Sequence, residues 1–179
     1  MQVVKFICIK RGLIILAEFK PSLRWLLQRP VCFLGFGFGT GLAPFMPGTF
    51  GTLPALPMAY LLMASGLSAV GLSSVCLVLF VFGIWICNVT ERELGLQDYG
   101  GIVWDEIVAM MLVLAWVPQN LSWWLAAFVV FRLFDMLKPW PIKWFDRRVH
   151  GGLGIMLDDV IAGLFAILVL QAVQLIMPV

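Results

Sequence analysis

Long apolar stretches alternate with short polar connections along most of this chain. No charged residue occurs from Pro30 to Thr90, a distance far longer than one membrane span requires. After Thr90, charges return only in brief clusters between further apolar stretches. The apolar stretches predict helices over roughly 54–66, 72–90, 103–117, 122–138 and 156–177. The pattern therefore predicts an all-α, polytopic membrane helix bundle with about five spanning helices.

The segment covering residues 31–53 is rich in glycine and proline, which disfavour one continuous helix. A helix that enters, breaks and returns fits this composition, so the segment is predicted to be re-entrant. Irregular backbone at membrane depth needs protein or water around it, which makes this segment a candidate wall of a functional site. Its glycines and prolines are Gly35, Gly37, Gly39, Gly41, Pro44, Pro47, Gly48 and Gly51.

The N-terminal segment carries six basic residues against a single acid, Glu18. This composition predicts a basic amphipathic helix on the membrane surface, residues 1–29, followed by a membrane-embedded domain, residues 30–179. Across the whole chain, 62% of residues are hydrophobic and only 12% are charged. That charge is too low to cover the surface of a water-soluble protein of this size, so the bilayer is the expected solvent.

The connections between predicted helices are either charged or uncharged. Residues 91–102 and 139–155 hold nearly all the charge of the later connections, whereas those near 66–73 and 118–122 carry none. Five spans threaded through these connections place every charged one on one side and the uncharged ones on the other. The basic N-terminal segment joins the charged side if residues 31–53 re-enter. The positive-inside rule identifies that side as cytoplasmic.

Ionisable side chains at a membrane edge are costly and usually functional, and here they form three clusters at predicted helix ends. Because neighbouring helices run in opposite directions, these ends are expected to meet on the charged side. Arg132, Asp135 and Lys138 are spaced three residues apart and so share one helix face. The carboxylates expected to converge are those of Asp105, Glu106, Asp135, Asp158 and Asp159.

Five converging carboxylates repel one another strongly unless a cation neutralises them. Oxygen ligands without histidine or cysteine favour Mg²⁺ (or Mn²⁺) over Zn²⁺, and Mg²⁺ completes its shell with water and substrate phosphate. Basic side chains are then expected to hold the phosphate oxygens. The candidates are Arg132, Lys138, Arg147 and Arg148. The pattern indicates Mg²⁺-dependent phosphoryl chemistry on a lipid at the membrane edge.

Simpler interpretations of the same residues stay open. The carboxylates either bind metal or only form ion pairs, and Arg147 and Arg148 either bind phosphate or only anchor helix ends. Thr49 either offers its hydroxyl to phosphate or caps the following helix. His150, the sole histidine, is either a proton carrier or a polar loop residue.

Three blocks of the sequence resemble the phosphatidylglycerophosphatase A family. They cover residues 35–53, 98–106 and 131–163, which is most of the chain. The first is similar to the family's glycine-rich block, and the second to its Asp-x-Gly-x-Ile-Val-Trp-Asp-Glu. The motifs that carry the resemblance include Pro47-Gly48-Thr49-Phe50-Gly51-Thr52, Ile102-Val103-Trp104-Asp105-Glu106, Lys138-Pro139-Trp140-Pro141-Ile142, His150-Gly151-Gly152 and Asp158-Asp159.

The resemblance implies a Mg²⁺-dependent enzyme of the bacterial inner membrane that hydrolyses phosphatidylglycerophosphate to phosphatidylglycerol and inorganic phosphate. The expected partners are this phospholipid and the membrane, with no nucleic acid and no obligatory protein partner. In the mechanism we expect, the five acids hold one or two Mg²⁺ ions and a water attacks phosphorus in line. The basic side chains stabilise the phosphate oxygens, and His150 or Asp98 protonates the leaving glycerol oxygen.

Two other function classes are open to an apolar chain with these charged clusters. A Mg²⁺-dependent lipid head-group transferase should begin its signature with Asp-Gly-x-x-Ala-Arg, which this chain lacks. A non-enzymatic transporter should carry polar groups along several spans, whereas the stretches 54–66 and 72–90 contain no charge. Both alternatives therefore explain the sequence less well than a lipid phosphatase does.

Overall fold

The computed structural model describes residues 4–10, 13–19, 21–140, 142–146 and 148–176. A short antiparallel hairpin comes first, and helices make up nearly all of the regular structure after it. The strands are β1 (Val4–Lys10) and β2 (Leu13–Phe19). The helices are α1 (Leu23–Leu27), α2 (Pro30–Gly35), α3 (Pro47–Thr52), α4 (Ala55–Ala64), α5 (Ala69–Leu94), α6 (Trp104–Leu114), α7 (Leu121–Leu137), α8 (Ile142–Asp146) and α9 (Gly151–Ile176), with a 3₁₀ segment over Gly37–Leu42. The predicted helical bundle is thus confirmed.

The N-terminal segment departs from the prediction. An amphipathic helix was expected over residues 1–29, but β1 and β2 pair along their length, from Val4 opposite Phe19 to Lys10 opposite Leu13. Both strands are short runs rich in β-branched valine and isoleucine, which favour extended backbone. The predicted helix is therefore wrong for the two strands, and within the described part of this segment only α1 is helical.

Helix α6 forms the centre of the bundle. It packs against α4, α5, α7 and α9, and α3 touches its N-terminal end. Side chains all around it are buried, including Ile107, Met110, Met111 and Leu114. Its apolar composition therefore serves contacts with protein on every side.

Two helices in the described residues, α5 and α9, are long and apolar enough to cross a membrane. Each has 26 residues, with mean hydropathies of 2.5 and 2.3, and so measures about 39 Å at 1.5 Å per residue. By contrast, α4 has ten residues and α6 eleven, which is short of the roughly 20 that a span needs. The structure supports a membrane protein with two candidate spans and does not confirm the predicted number of about five.

The glycine-rich segment lies against the start of α6. The Val103 N–H donates to the Gly35 carbonyl at 2.9 Å. Further along, a Cβ added at Gly41 would lie only 2.1 Å from the Gly101 carbonyl oxygen, and one added at Gly51 would meet the Val103 side chain at 2.4 Å. Close backbone approach at these glycines therefore holds the whole segment at the end of the bundle where α6 begins.

Candidate active site

Three helix ends bring the predicted acids together. Asp105 and Glu106 lie in the first turn of α6, and Asp135 lies in the last turn of α7. Asp158 and Asp159 lie about two turns inside α9, because this helix starts at Gly151 instead of near residue 156 as predicted. All five carboxylates are at least partly buried, with Asp105, Asp158 and Asp159 exposing 8%, 7% and 3% of their surface.

Arg132 ties two of these acids to α7. Its Nη1 lies 3.1 Å from Glu106 Oε1 and 2.5 Å from Asp135 Oδ2, and only 12% of each of the three side chains is exposed. The guanidinium lies between two carboxylates and is shielded from water. Moving it away from either carboxylate would leave a buried charge unpaired, so its orientation is strongly fixed. Its Nε is also buried and has no hydrogen-bond partner among the described residues. Arg132 therefore keeps a donor available for a ligand anion.

Lys138 makes the second link, between α7 and α9. Its Nζ donates to Asp158 Oδ2. Lys138 caps the C-terminus of α7 in the left-handed conformation, with φ of +40°. This strained backbone, rare for a residue with a side chain, directs the ammonium group back towards the acids.

Thr52, which the sequence analysis did not select, supports Glu106 from α3. Its buried hydroxyl lies 3.1 Å from Glu106 Oε2 and 2.8 Å from the Gly48 carbonyl oxygen. Gly48 itself packs against the pair that Thr52 supports, since a Cβ added there would lie 2.1 Å from Glu106 Oε1 and 2.8 Å from Arg132 Nη2. The Pro-Gly-Thr block thus reaches the acids, and its partly buried Thr49 adjoins this contact.

Asp105 Oδ1 and Asp159 Oδ2 are buried and have no hydrogen-bond partner among the described residues. An unpaired buried acceptor is costly and calls for a proton or a cation. Within the described part of the chain, no three Asp, Glu, His or Cys side chains are already arranged as a metal site. Mg²⁺ needs only one or two carboxylates beside water and phosphate, so each of these oxygens has the chemistry of a ligand for such an ion.

Two clefts open beside the acids. The larger, of about 710 Å³, lies between residues 41–47 and 98–101, and we call it the glycine cleft. The smaller, of about 90 Å³, is polar and is lined by Glu91, His150 and Asp158 among others. Asp98 lines both clefts, and its N–H donates to Glu91 Oε1 at 2.6 Å. The polar cleft therefore reaches the acid cluster at Asp158, and the glycine cleft adjoins the polar cleft at Asp98.

The remaining predicted residues lie at the surface or outside the described residues. The Arg148 guanidinium lies 4.3 Å from the centre of the Trp144 ring, and its side chain is exposed. His150 is also exposed, at the rim of the polar cleft. Arg147 lies outside the described residues. Their predicted contacts with phosphate and with the leaving group stay predictions.

Asn88 is a second residue that sequence reasoning missed. Its Oδ1 accepts the Gly152 N–H at 2.8 Å, and its amide donates to the Ile84 carbonyl at the same distance. It thereby satisfies one of the free N–H groups at the start of α9, the helix that carries Asp158 and Asp159. The only signal in the sequence is one amide near the end of an otherwise apolar stretch.

The chain is similar to one known protein family along most of its length. The sequence profile of the family described as Phosphatidylglycerophosphatase A matches residues 33–174. The chain is 44% identical over 144 residues to Phosphatidylglycerophosphatase A of Escherichia coli (strain K12). The aligned region covers 78% of this chain and 81% of the relative. It is 41% identical over 161 residues to the protein of the same name in Haemophilus influenzae, and this aligned region covers 89% of this chain and 98% of the relative. No solved structure matches the chain. A family profile that spans most of the chain, together with these identities, shows that the protein belongs to the phosphatidylglycerophosphatase A family and is a phosphatase.

Proposed function

We propose that this enzyme hydrolyses the terminal phosphomonoester of phosphatidylglycerophosphate in a Mg²⁺-dependent reaction, yielding phosphatidylglycerol and inorganic phosphate. The names of its relatives support the substrate. The observation that carries the metal dependence is the pair of partnerless buried oxygens on Asp105 and Asp159.

The charge of the cluster supports a bound cation. Among the described residues, five carboxylates face the basic side chains of Arg132 and Lys138 in a largely buried region. Asp105 and Asp159 would hold Mg²⁺, with Glu106, Asp135 and Asp158 around it. When bound, Mg²⁺ supplies polarisation of the phosphate and a lowered pKa of a bound water.

The protein's own side chains then orient the phosphate and transfer protons. Arg132 donates to the phosphate through its free Nε, and Lys138 adds a second positive charge beside α9. A water oxygen forms a bond to phosphorus while the bond from phosphorus to the glycerol oxygen breaks. One carboxylate of the cluster accepts the proton of that water, and His150 or Asp98 protonates the leaving oxygen from the polar cleft.

The placement in the membrane is part of this proposal. Helices α5 and α9 cross the inner membrane, and the shorter α4, α6 and α7 complete the bundle, for about five membrane helices in all. Residues 31–53 enter and return, supported by their contacts with the start of α6. The acid cluster faces the cytoplasm, because the charged connections lie at that end.

Phosphate release from phosphatidylglycerophosphate in detergent micelles tests the proposal. We expect the purified full-length protein to release phosphate with Mg²⁺ and to lose this activity in a chelator. Glu93→Gln is a matched control, because Glu93 is a half-exposed acid paired with Arg29 away from the cluster; it should keep wild-type turnover. Absence of phosphate release with Mg²⁺ present would overturn the proposed function.

A further inference from the structure

The glycine cleft has walls from two separate parts of the chain. Residues 41–47 form one wall and residues 98–101 the other, and the two touch where Gly41 meets the Gly101 carbonyl. One residue in each wall has positive φ despite carrying a side chain, Met46 at +45° and Asp98 at +48°. Holding both in this uncommon conformation costs free energy, which is typical of functional walls.

The lining of the cleft suits an apolar, uncharged ligand portion. Among the described residues that line it, Asp98 has the one carboxylate, and none is a lysine or an arginine. Burial raises the pKa of the Tyr99 phenol above its usual value, so Tyr99 stays neutral. Phe45 and Met46 form its outer edge, with 72% and 38% of their surface exposed. The volume of about 710 Å³ is in the range of cavities that enclose small ligands.

Each wall of the cleft is linked to the acid cluster. Pro47 lines the cleft, and the next residue, Gly48, packs directly against Glu106 and Arg132. On the other wall, Asp98 also lines the polar cleft that Asp158 borders. A molecule lying in the glycine cleft therefore contacts two residues, Pro47 and Asp98, that lie next to groups of the acid cluster or of the cleft that Asp158 lines.

We propose that the glycine cleft binds the acylated glycerol of the lipid substrate and directs its phosphate end to the acid cluster. This inference rests on the proposed function and extends it to the lipid part of the substrate. The apolar cleft selects a lipid phosphomonoester over a water-soluble one, because burial of the acyl-glycerol lowers KM without contributing to the chemical step.

Gly100 allows the cleft to be filled without disturbing the fold. A Cβ added there meets no atom within 4 Å, and Gly100 is absent from the positive-φ residues. Gly100→Leu should raise the KM for the lipid, expressed as its mole fraction in micelles, about tenfold with kcat within about twofold. Gly100→Ala should raise it less. Phe45→Ala, at an exposed position, should also raise KM because it removes an apolar contact.

The control carries the same substitution at the other end of the bundle. Gly71 lies near the start of α5, where an added Cβ makes only ordinary contacts, so Gly71→Leu should leave KM unchanged. A second readout does not depend on turnover. A phosphatidylglycerophosphate analogue with a photoreactive diazirine close to its acylated glycerol should crosslink to residues 41–47 or 98–101. Gly100→Leu should reduce this crosslinking.

The outcomes separate the two proposals. Crosslinking to the cleft walls without phosphate release would overturn the proposed hydrolysis and keep the cleft as a lipid site. Phosphate release with an unchanged KM in Gly100→Leu and Phe45→Ala, and crosslinks only elsewhere, would overturn the cleft and keep the phosphatase. Loss of kcat with unchanged KM in both variants would also contradict a binding role.

Discussion

Arg132 Nη1 lies 3.1 Å from Glu106 Oε1, joining the end of α7 to the start of α6. The same nitrogen contacts Asp135 on its own helix, so one guanidinium fixes two acids from different parts of the chain. This shared contact sets the geometry on which the proposed phosphate site depends.

Arg132→Lys should lower kcat about a hundredfold, because an ammonium group cannot bridge two carboxylates and also keep a planar donor for phosphate. The measurement is phosphate release at saturating lipid. Arg29→Lys is the matched control, since Arg29 pairs with Glu93 at a partly exposed surface and should keep full activity. Equal kcat values in the Arg132→Lys variant and the wild type would show that the guanidinium geometry is not needed.

Thr52→Val should lower kcat about tenfold, because it removes the buried hydroxyl beside Glu106 Oε2 while keeping the side-chain shape. Thr52→Ser keeps the hydroxyl and should retain most of the activity. Phosphate release from both variants, each compared at equal folded concentration, measures the effect. A serine variant as impaired as the valine variant would assign Thr52 a packing role only.

Gly48→Ala should destabilise the protein by about 1–3 kcal/mol, because its methyl group would overlap Glu106 Oε1 and press on Arg132. Thermal unfolding in detergent measures this loss, and kcat should fall with it. Gly71→Ala, where a Cβ has room, is the control and should not lower the unfolding temperature. An unfolding temperature for Gly48→Ala equal to that of the wild type would contradict the close packing of α3 on the acids.

Asn88→Ala should lower the free energy of unfolding by about 1–2 kcal/mol and also reduce kcat, because Asn88 holds the start of α9. Asn120 offers a comparison of equal chemistry. It caps α7 at the uncharged end of the bundle, accepting the Trp123 N–H at 2.9 Å. Asn120→Ala should cost similar stability and leave kcat unchanged. If both variants lose stability but neither loses activity, Asn88 does not position the acids.

A structural feature could be predicted from the sequence where the residues that determine it are close together along the chain, and not where they are far apart. The ends of α5 are signalled locally, since Ser68 caps its start and Gly95 ends it in the left-handed conformation. The start of α9 has no such local signal, because Asn88, which accepts the Gly152 N–H there, lies 64 residues earlier. Similarly, Thr52 and Glu106 are 54 residues apart, so no local spacing connects them.

Composition also failed to separate two kinds of apolar helix. The residues of α6 are as apolar as those of α5, but α6 is enclosed by protein while α5 exposes side chains such as Leu77 and Val81. Hydropathy measures how strongly a side chain favours leaving water, but it does not say whether lipid or protein then surrounds that side chain. The convergence of the acids was easier to anticipate, because it follows from helix direction and the position of charge at helix ends.

The central claim is that buried carboxylates hold Mg²⁺ for hydrolysis of a lipid phosphomonoester. The most direct measurement is phosphate release from phosphatidylglycerophosphate across a Mg²⁺ titration, for the wild type and Asp159→Asn. We predict saturable, Mg²⁺-dependent release by the wild type and a loss of at least about a hundredfold in the variant. Release by the wild type in a chelator, or full activity of Asp159→Asn, would contradict this account.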